Sequence, residues 1–158
     1  MPTLTLSISI ERILENIHAL SAMRTYVNQH RERLVPLTAD RNKTLRLIAG
    51  NSYCYLLSRL AANVVSCTMP VESLEHTPDE PDIMEVTLEM PEGFNMALAP
   101  ALRKAAELFI TFSSLKEVYQ SVDPVLADDY HKRAGAALND FTDLTALKPV
   151  VPNISPYY

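Results

Sequence analysis

Two pairs of acidic and histidine residues have the spacing that carboxylate-bridged metal sites use. Glu15 and His18 are three positions apart, and so are Asp128 and His131. In a helix this spacing puts a carboxylate and an imidazole one turn apart, and di-iron bundles combine two such pairs with a further Glu from each of two other helices. The four residues would therefore supply four of the six ligands in a metal-dependent bundle enzyme.

Two features of the sequence argue against this metal site. At about 100° per residue, both pairs point away from the apolar stripes of their predicted helices, so we expect them to face solvent. The most apolar predicted helix lies between Asp40 and Glu72, where the chain has no other acidic residue, so one required ligand has no source. We therefore expect no metal and no cofactor, and a metal-binding bundle enzyme remains an alternative.

The acidic, proline-rich segment 70–82 is a second candidate ion site, because hard cations favour several oxygen ligands. It has three prolines and five acidic residues but no glycine for a tight turn, so we expect a solvated loop instead. Its candidate ligands are Glu72, Glu75, His76, Asp79 and Asp82.

Other motifs of catalysis are missing from the sequence. The three glycines are isolated, which excludes a phosphate-binding loop and a dinucleotide fingerprint. The serines lack a Gly-x-Ser-x-Gly turn. Cys54 and Cys67 are thirteen positions apart, which fits neither a redox pair nor a zinc ribbon, so we expect buried free thiols. The chain is expected not to be an enzyme.

Composition limits the classes of partner. The chain has 158 residues, of which 47% are hydrophobic, and a net charge of -5, so it can bury a core but offers no basic surface for nucleic acid. Arg46 and Arg59 interrupt its most apolar stretch, which argues against a membrane span. The first residues resemble no signal peptide, so we expect a cytoplasmic protein, or a virion component, and not a secreted one.

Strict alternation of apolar and polar residues predicts two strands, Leu4–Ile10 and Met84–Met90. Four helices are predicted around them. Ser9 caps the first, which ends at Pro36. Thr38 and Asp40 are candidate caps for the second, whose apolar residues run from Leu45 to Val65 and leave almost no polar face, so we expect it to be central. Asn95 caps the third, and Asp123 followed by Pro124 starts the fourth.

The predicted fold is mainly α, a four-helix bundle with a small two-stranded sheet in the order β-α-α-β-α-α. We expect one domain over residues 1–148, followed by an extended proline-rich tail over residues 149–158.

Two surfaces are predicted to bind protein partners. The first is the apolar tail, and the second is the edge of the strand that carries Val86 and Leu88, since an unpaired strand edge can accept another strand. The tail residues expected to make contacts are Pro149, Val150, Val151, Pro152, Ile154, Tyr157 and Tyr158.

Parts of the sequence resemble the small helical adaptor proteins of tailed bacteriophages and prophages, the head-tail connector or head-completion class. These parts are Ala39–Leu45, the long helix that follows it, and Tyr130–Asn139. The resemblance implies a non-enzymatic structural subunit that joins copies of itself or neighbouring ring components through extended arms and strand addition. A small regulatory binding module, whose acidic loop or helical groove takes a peptide or small molecule, is a further alternative.

Overall fold

The computed structural model describes residues 1–27, 42–68 and 83–145. Four helices and a small sheet form a mainly α fold, which confirms the predicted class. The elements are β1 (Thr3–Ser9), α1 (Ile10–Val27), α2 (Asn42–Arg59), β2 (Val64–Cys67), β3 (Ile83–Glu89), α3 (Ala99–Tyr119) and α4 (Pro124–Thr145). Within these ranges no helix has the length and apolar character that crossing a membrane requires.

The sheet is antiparallel with the strand order β1-β3-β2. β1 and β3 pair along their whole length within one chain, with Leu6 opposite Val86. Alternate residues of both strands face the helices and are buried, whereas the other face carries Thr5, Ser7 and Glu85. One face of the sheet is therefore part of the core and the other is polar.

The third strand, β2, differs from the prediction, which placed Val64 and Val65 in the second helix. That helix ends at Arg59 and a short 3₁₀ turn, Ala61–Asn63, leads into β2. Adjacent β-branched residues favour a strand, and β3 offers them an unpaired edge. The predicted two-stranded sheet is therefore three-stranded.

The predicted helix caps lie at or shortly before the starts of α1, α3 and α4. The Arg12 N–H donates to Ser9 Oγ at 3.4 Å at the start of α1. Asn95 Oδ1 accepts from the Ala97 N–H at 3.0 Å and begins a 3₁₀ turn that continues into α3. At α4, Asp123 Oδ1 accepts from the Leu126 N–H at 3.2 Å. The contacts at Ser9 and Asp123 confirm the predicted starts of α1 and α4. Asn95 caps the 3₁₀ turn instead of α3, which begins at Ala99 without a side-chain cap.

The central helix is α3, and the prediction that α2 is central was wrong. α3 packs against α1, α2, α4 and β1. Even its polar residues Glu107, Thr111 and Ser114 are buried, and the last two hydroxyls donate to backbone carbonyls one turn earlier. In α2, by contrast, Leu47 and Tyr55 are 45% and 51% exposed. One face of α2 is therefore open to solvent.

Four predictions fall on residues outside the described ranges: the end of the first helix at Pro36, the caps of the second at Thr38 and Asp40, the acidic segment 70–82 and the tail 149–158.

Candidate binding groove between α2, α3 and α4

A groove of about 650 Å³ lies between α2, α3 and α4. The wall from α2 includes Ile48, Tyr55 and Arg59. These residues are seven and four positions apart, so a helix puts them on one face. The solvent-exposed face of α2 therefore forms one side of the groove and carries the Tyr55 ring.

The wall from α3 supplies an apolar floor and two charges. Phe109 is 3% exposed and forms part of the floor. Lys116 and Glu117 lie two turns later along the helix and line the same groove. The central helix therefore contributes both a buried aromatic ring and a charged rim.

The wall from α4 consists mainly of small and apolar residues. Ala134, Gly135 and Leu138 follow the spacing of one helix face, and His131 stands one turn before them. A Cβ atom built on Gly135 meets nothing within 4 Å, so the groove is open at this point. Because glycine has no side chain, α4 does not project into the groove at Gly135.

Tyr55 is the most distinctive residue of the groove. Its ring stacks on Phe109, with ring centroids 6.0 Å apart and an angle of 11° between the planes. The Arg59 guanidinium carbon lies 5.4 Å from the Tyr55 centroid, within cation–π range. A half-exposed tyrosine is therefore held in place by a buried ring and an arginine.

The groove offers few groups for catalysis. Ser52 Oγ lies 3.5 Å from Ser114 Oγ, whose hydroxyl donates to the Ile110 carbonyl at 2.7 Å. In the described parts of the chain, no three His, Cys, Asp or Glu residues stand close enough together to hold a metal ion. The arrangement suits binding by apolar contact, and the described part of its wall includes the cations Arg59 and Lys116.

The four predicted metal ligands do not come together. His18 Nε2 lies 2.7 Å from Asn42 Oδ1, a hydrogen bond that joins α1 to the start of α2. Asp128 is exposed and pairs with Lys132 at 3.0 Å within α4, while His131 lines the groove. The expectation that both pairs face solvent holds for Glu15, Asp128 and His131, whereas His18 is half-buried.

The strand edge predicted to bind partners is already occupied. β3 is the middle strand and pairs with β1 on one side and β2 on the other. Val86 and Leu88 are 2% and 0% exposed, because their side chains belong to the core. This prediction was wrong for β3; the outer strands of the sheet are β1 and β2.

The cysteines differ from the prediction of two buried thiols. Cys54 is half-buried, but Cys67 is exposed on β2. Tyr53, next to Cys54 in the chain, donates its hydroxyl to the Glu85 carbonyl at 3.0 Å. Burial raises the pKa of the Tyr53 phenol well above its ordinary value, with smaller contributions from Cys67, Cys54 and Glu85. This phenol therefore has a structural role in joining α2 to the sheet.

The sequence predicts a helical groove only as an alternative and does not indicate which residues line it. Neither Tyr55 nor Gly135 was predicted as a site residue. The spacing within each helix indicates a shared face, because the groove residues recur at steps of three and four. Together these faces carry aromatic, cationic and small side chains. The three stripes define a groove only once the helices are packed together.

Comparison with known protein families, with curated proteins and with solved structures finds no match to this chain.

Proposed function

We propose that this protein is a non-enzymatic assembly subunit whose groove accepts an apolar segment of a partner protein. The observation that carries the proposal is Tyr55, which is half-exposed yet fixed by Phe109 and Arg59. Tyrosine and arginine are enriched among the residues that dominate binding energy at protein interfaces. A ring that is already ordered loses little conformational entropy when a partner covers it.

The charges of the groove favour a partner segment that carries a carboxylate. Among the described residues that line the groove, Arg59 and Lys116 are cationic and Glu117 is acidic. The chain as a whole has a net charge of -5, so this local excess of positive charge is unlike the average surface. We therefore propose an apolar segment with at least one acidic residue as the occupant.

Gly135 allows a sharp test of this function. Gly135→Leu places a side chain in the groove, and the helix is not weakened because Leu is a far better helix former than Gly. Gly135→Ala is the matched control, since its methyl group occupies little of the groove. A randomised peptide library is selected on Gly135→Ala and counter-selected on Gly135→Leu.

The expected result is a family of apolar peptides with an acidic residue that bind Gly135→Ala at least tenfold more tightly than Gly135→Leu. Tyr55→Ala should weaken the same peptides by a similar factor, because it removes the ordered ring. Peptides that bind both Gly135 variants equally, or no enrichment at all, would overturn the groove as the binding site.

A second candidate function is a small-molecule binding module, which the groove volume of about 650 Å³ favours because ligand sites typically span about 300 to 1,000 Å³. The same two variants distinguish it. A small-molecule library should then raise the melting temperature of Gly135→Ala and not of Gly135→Leu, whereas the peptide selection yields nothing.

We also propose virion assembly as the biological setting, supported by the resemblance of two segments to phage adaptor proteins. Neighbouring genes provide the test. A run of capsid, portal and tail genes around the coding sequence would support this setting, and a neighbourhood of metabolic genes would overturn it without affecting the groove.

A further inference from the structure

β1 has a long outer edge without the features that normally protect a strand edge. It spans seven residues, Thr3–Ser9, with no charge, and pairs with β3 without a register shift. The opposite edge strand, β2, has four residues and an irregularity between Val64 and Ser66. Short length, bulges and charges are the usual protection against edge-to-edge pairing, and only β2 has any of them.

The hydrogen-bond pattern shows which backbone groups of β1 point outward. The Met90 N–H donates to the Pro2 carbonyl at 2.8 Å. Every second residue of an antiparallel strand directs its backbone N–H and C=O to the same neighbouring strand. The backbone groups of Leu4, Leu6 and Ile8 therefore point toward β3. Thr3, Thr5 and Ser7 direct theirs away from it. Within residues 1–27, 42–68 and 83–145, β1 has no strand partner except β3.

We propose that β1 pairs antiparallel with β1 of a second copy of this chain, centred on Thr5. Thr3 of each copy then lies opposite Ser7 of the other, and three pairs of residues exchange about six backbone hydrogen bonds. Leu4 and Leu6 stay on the core face in both copies. The two sheets become one sheet of six strands around a two-fold axis.

The composition of β1 suits pairing with a second copy at this edge. Two chains that each carry a net charge of -5 repel one another, but β1 itself has no charged residue that would oppose its own copy at close range. Its outward residues are hydroxyl-bearing, and Thr5 already forms a 2.9 Å hydroxyl contact with Thr87 across the β1–β3 pair. Threonine and serine opposite one another across two strands are a favourable combination.

The closing experiment compares two lysine variants by sedimentation of the full chain over a range of concentrations up to several hundred micromolar. Thr5→Lys puts two like charges on the two-fold axis, whereas Thr87→Lys changes the direct partner of Thr5, one strand away from the edge. Both remove the same hydroxyl contact. We expect a dimer for the wild type and Thr87→Lys, and at least tenfold weaker association for Thr5→Lys.

Two further variants test the backbone and the register. Thr5→Pro removes an outward N–H without removing a hydrogen bond to β3, and should also give a monomer. With both natural cysteines changed to serine, Thr5→Cys should form a covalent dimer on mild oxidation, because Cα atoms in such a pair lie about 5.5 Å apart. Ser7→Cys should not, since its counterpart is about 13 Å away.

A wild-type chain that stays monomeric at every concentration overturns the proposal, and so does a dimer that Thr5→Lys and Thr87→Lys weaken equally. Dimerisation that appears only after deletion of residues 146–158 would also overturn it, since the chain's own tail would then compete for this surface. None of these outcomes affects peptide binding in the groove, so the two proposals can fail separately.

Discussion

Ser21 Oγ and Tyr119 Oη form a 2.8 Å hydrogen bond in the core, between residues that are 98 positions apart in the chain. Ser21 lies on α1 and Tyr119 at the end of α3, and they are 0% and 4% exposed. Tyr119 also stacks against Tyr130 of α4, with centroids 6.0 Å apart. The hydrogen bond therefore links α1 to the stacked rings of Tyr119 and Tyr130, which join α3 to α4.

Removing one partner of this bond should destabilise the protein. We expect Ser21→Ala to lower the free energy of unfolding by about 1 to 3 kcal/mol, because the Tyr119 hydroxyl loses a partner in a buried site. In the double variant with Tyr119→Phe the effects should not add, with a coupling of about 1 kcal/mol. Urea unfolding followed by circular dichroism measures the free energy of unfolding of the two single variants and the double variant. Ser7→Ala on the exposed sheet face is the control. Additive effects would contradict the coupling.

Two buried phenols should make the protein sensitive to alkaline pH. Burial raises the pKa of Tyr53 and of Tyr130 above the ordinary value of 10.0, although the nearby Arg24 opposes the rise at Tyr130. A raised pKa favours the protonated folded state, so the stabilisation is complete below pH 10 and falls as pH rises further. Each phenol should contribute a loss of about 1.4 kcal/mol per pH unit above 10 until its folded-state pKa is reached.

The measurement is phenolate absorbance in native and urea-unfolded protein between pH 9 and 12. We expect the native protein to show less phenolate than the unfolded protein at the same pH, and Tyr53→Phe to reduce the difference. Equal titration curves in the two states would show that the phenols are not protected by the fold.

Two glycine substitutions should have opposite effects on stability. Gly135 lies within α4, and a Cβ atom there meets nothing within 4 Å. Gly135→Ala should therefore raise the free energy of unfolding by about 1 kcal/mol, through helix propensity. Gly93 has a φ of 82° in the turn where the Phe94 N–H donates to the Pro91 carbonyl. Gly93→Ala should destabilise the protein, because that conformation is strained for an L-residue.

Thermal unfolding compares these two variants directly. A gain of about 1 kcal/mol corresponds to about 2 to 4 °C in melting temperature for a chain of this size. A Gly135→Ala variant that melts below the wild type would show that the groove wall cannot accept even a methyl group.

Deleting residues 149–158 should weaken partner binding or self-association while the helix content stays the same. The expected cause is the loss of an apolar, proline-spaced segment that docks on a neighbouring subunit. Sedimentation and peptide or partner capture measure association, and far-ultraviolet circular dichroism measures helix content. An unchanged oligomer together with unchanged capture would contradict a binding role for the tail.

The sequence by itself determined the elements whose signals are local. The alternation of β1 and β3, the caps at Ser9, Asn95 and Asp123, and the apolar stripe of α4 all depend on residues within a few positions of each other. β1, β3 and the starts of α1 and α4 were predicted within one or two residues, whereas α3 begins at Ala99, after the 3₁₀ turn that Asn95 caps. Local pattern also excluded phosphate loops and nucleotide fingerprints, because those motifs are contiguous.

Only the tertiary structure decided which surfaces are covered. Val64 and Val65 became a strand because β3, about twenty residues further along the chain, had an edge to pair with. α3 became central because neighbouring helices and β1 surround it, although the sequence pattern predicted α2 for this position. The groove residues Tyr55, Phe109 and Gly135 come from three helices, and no periodicity within one helix can predict that they meet. Burial is a property of two facing surfaces, whereas the sequence pattern of an element describes only one of them.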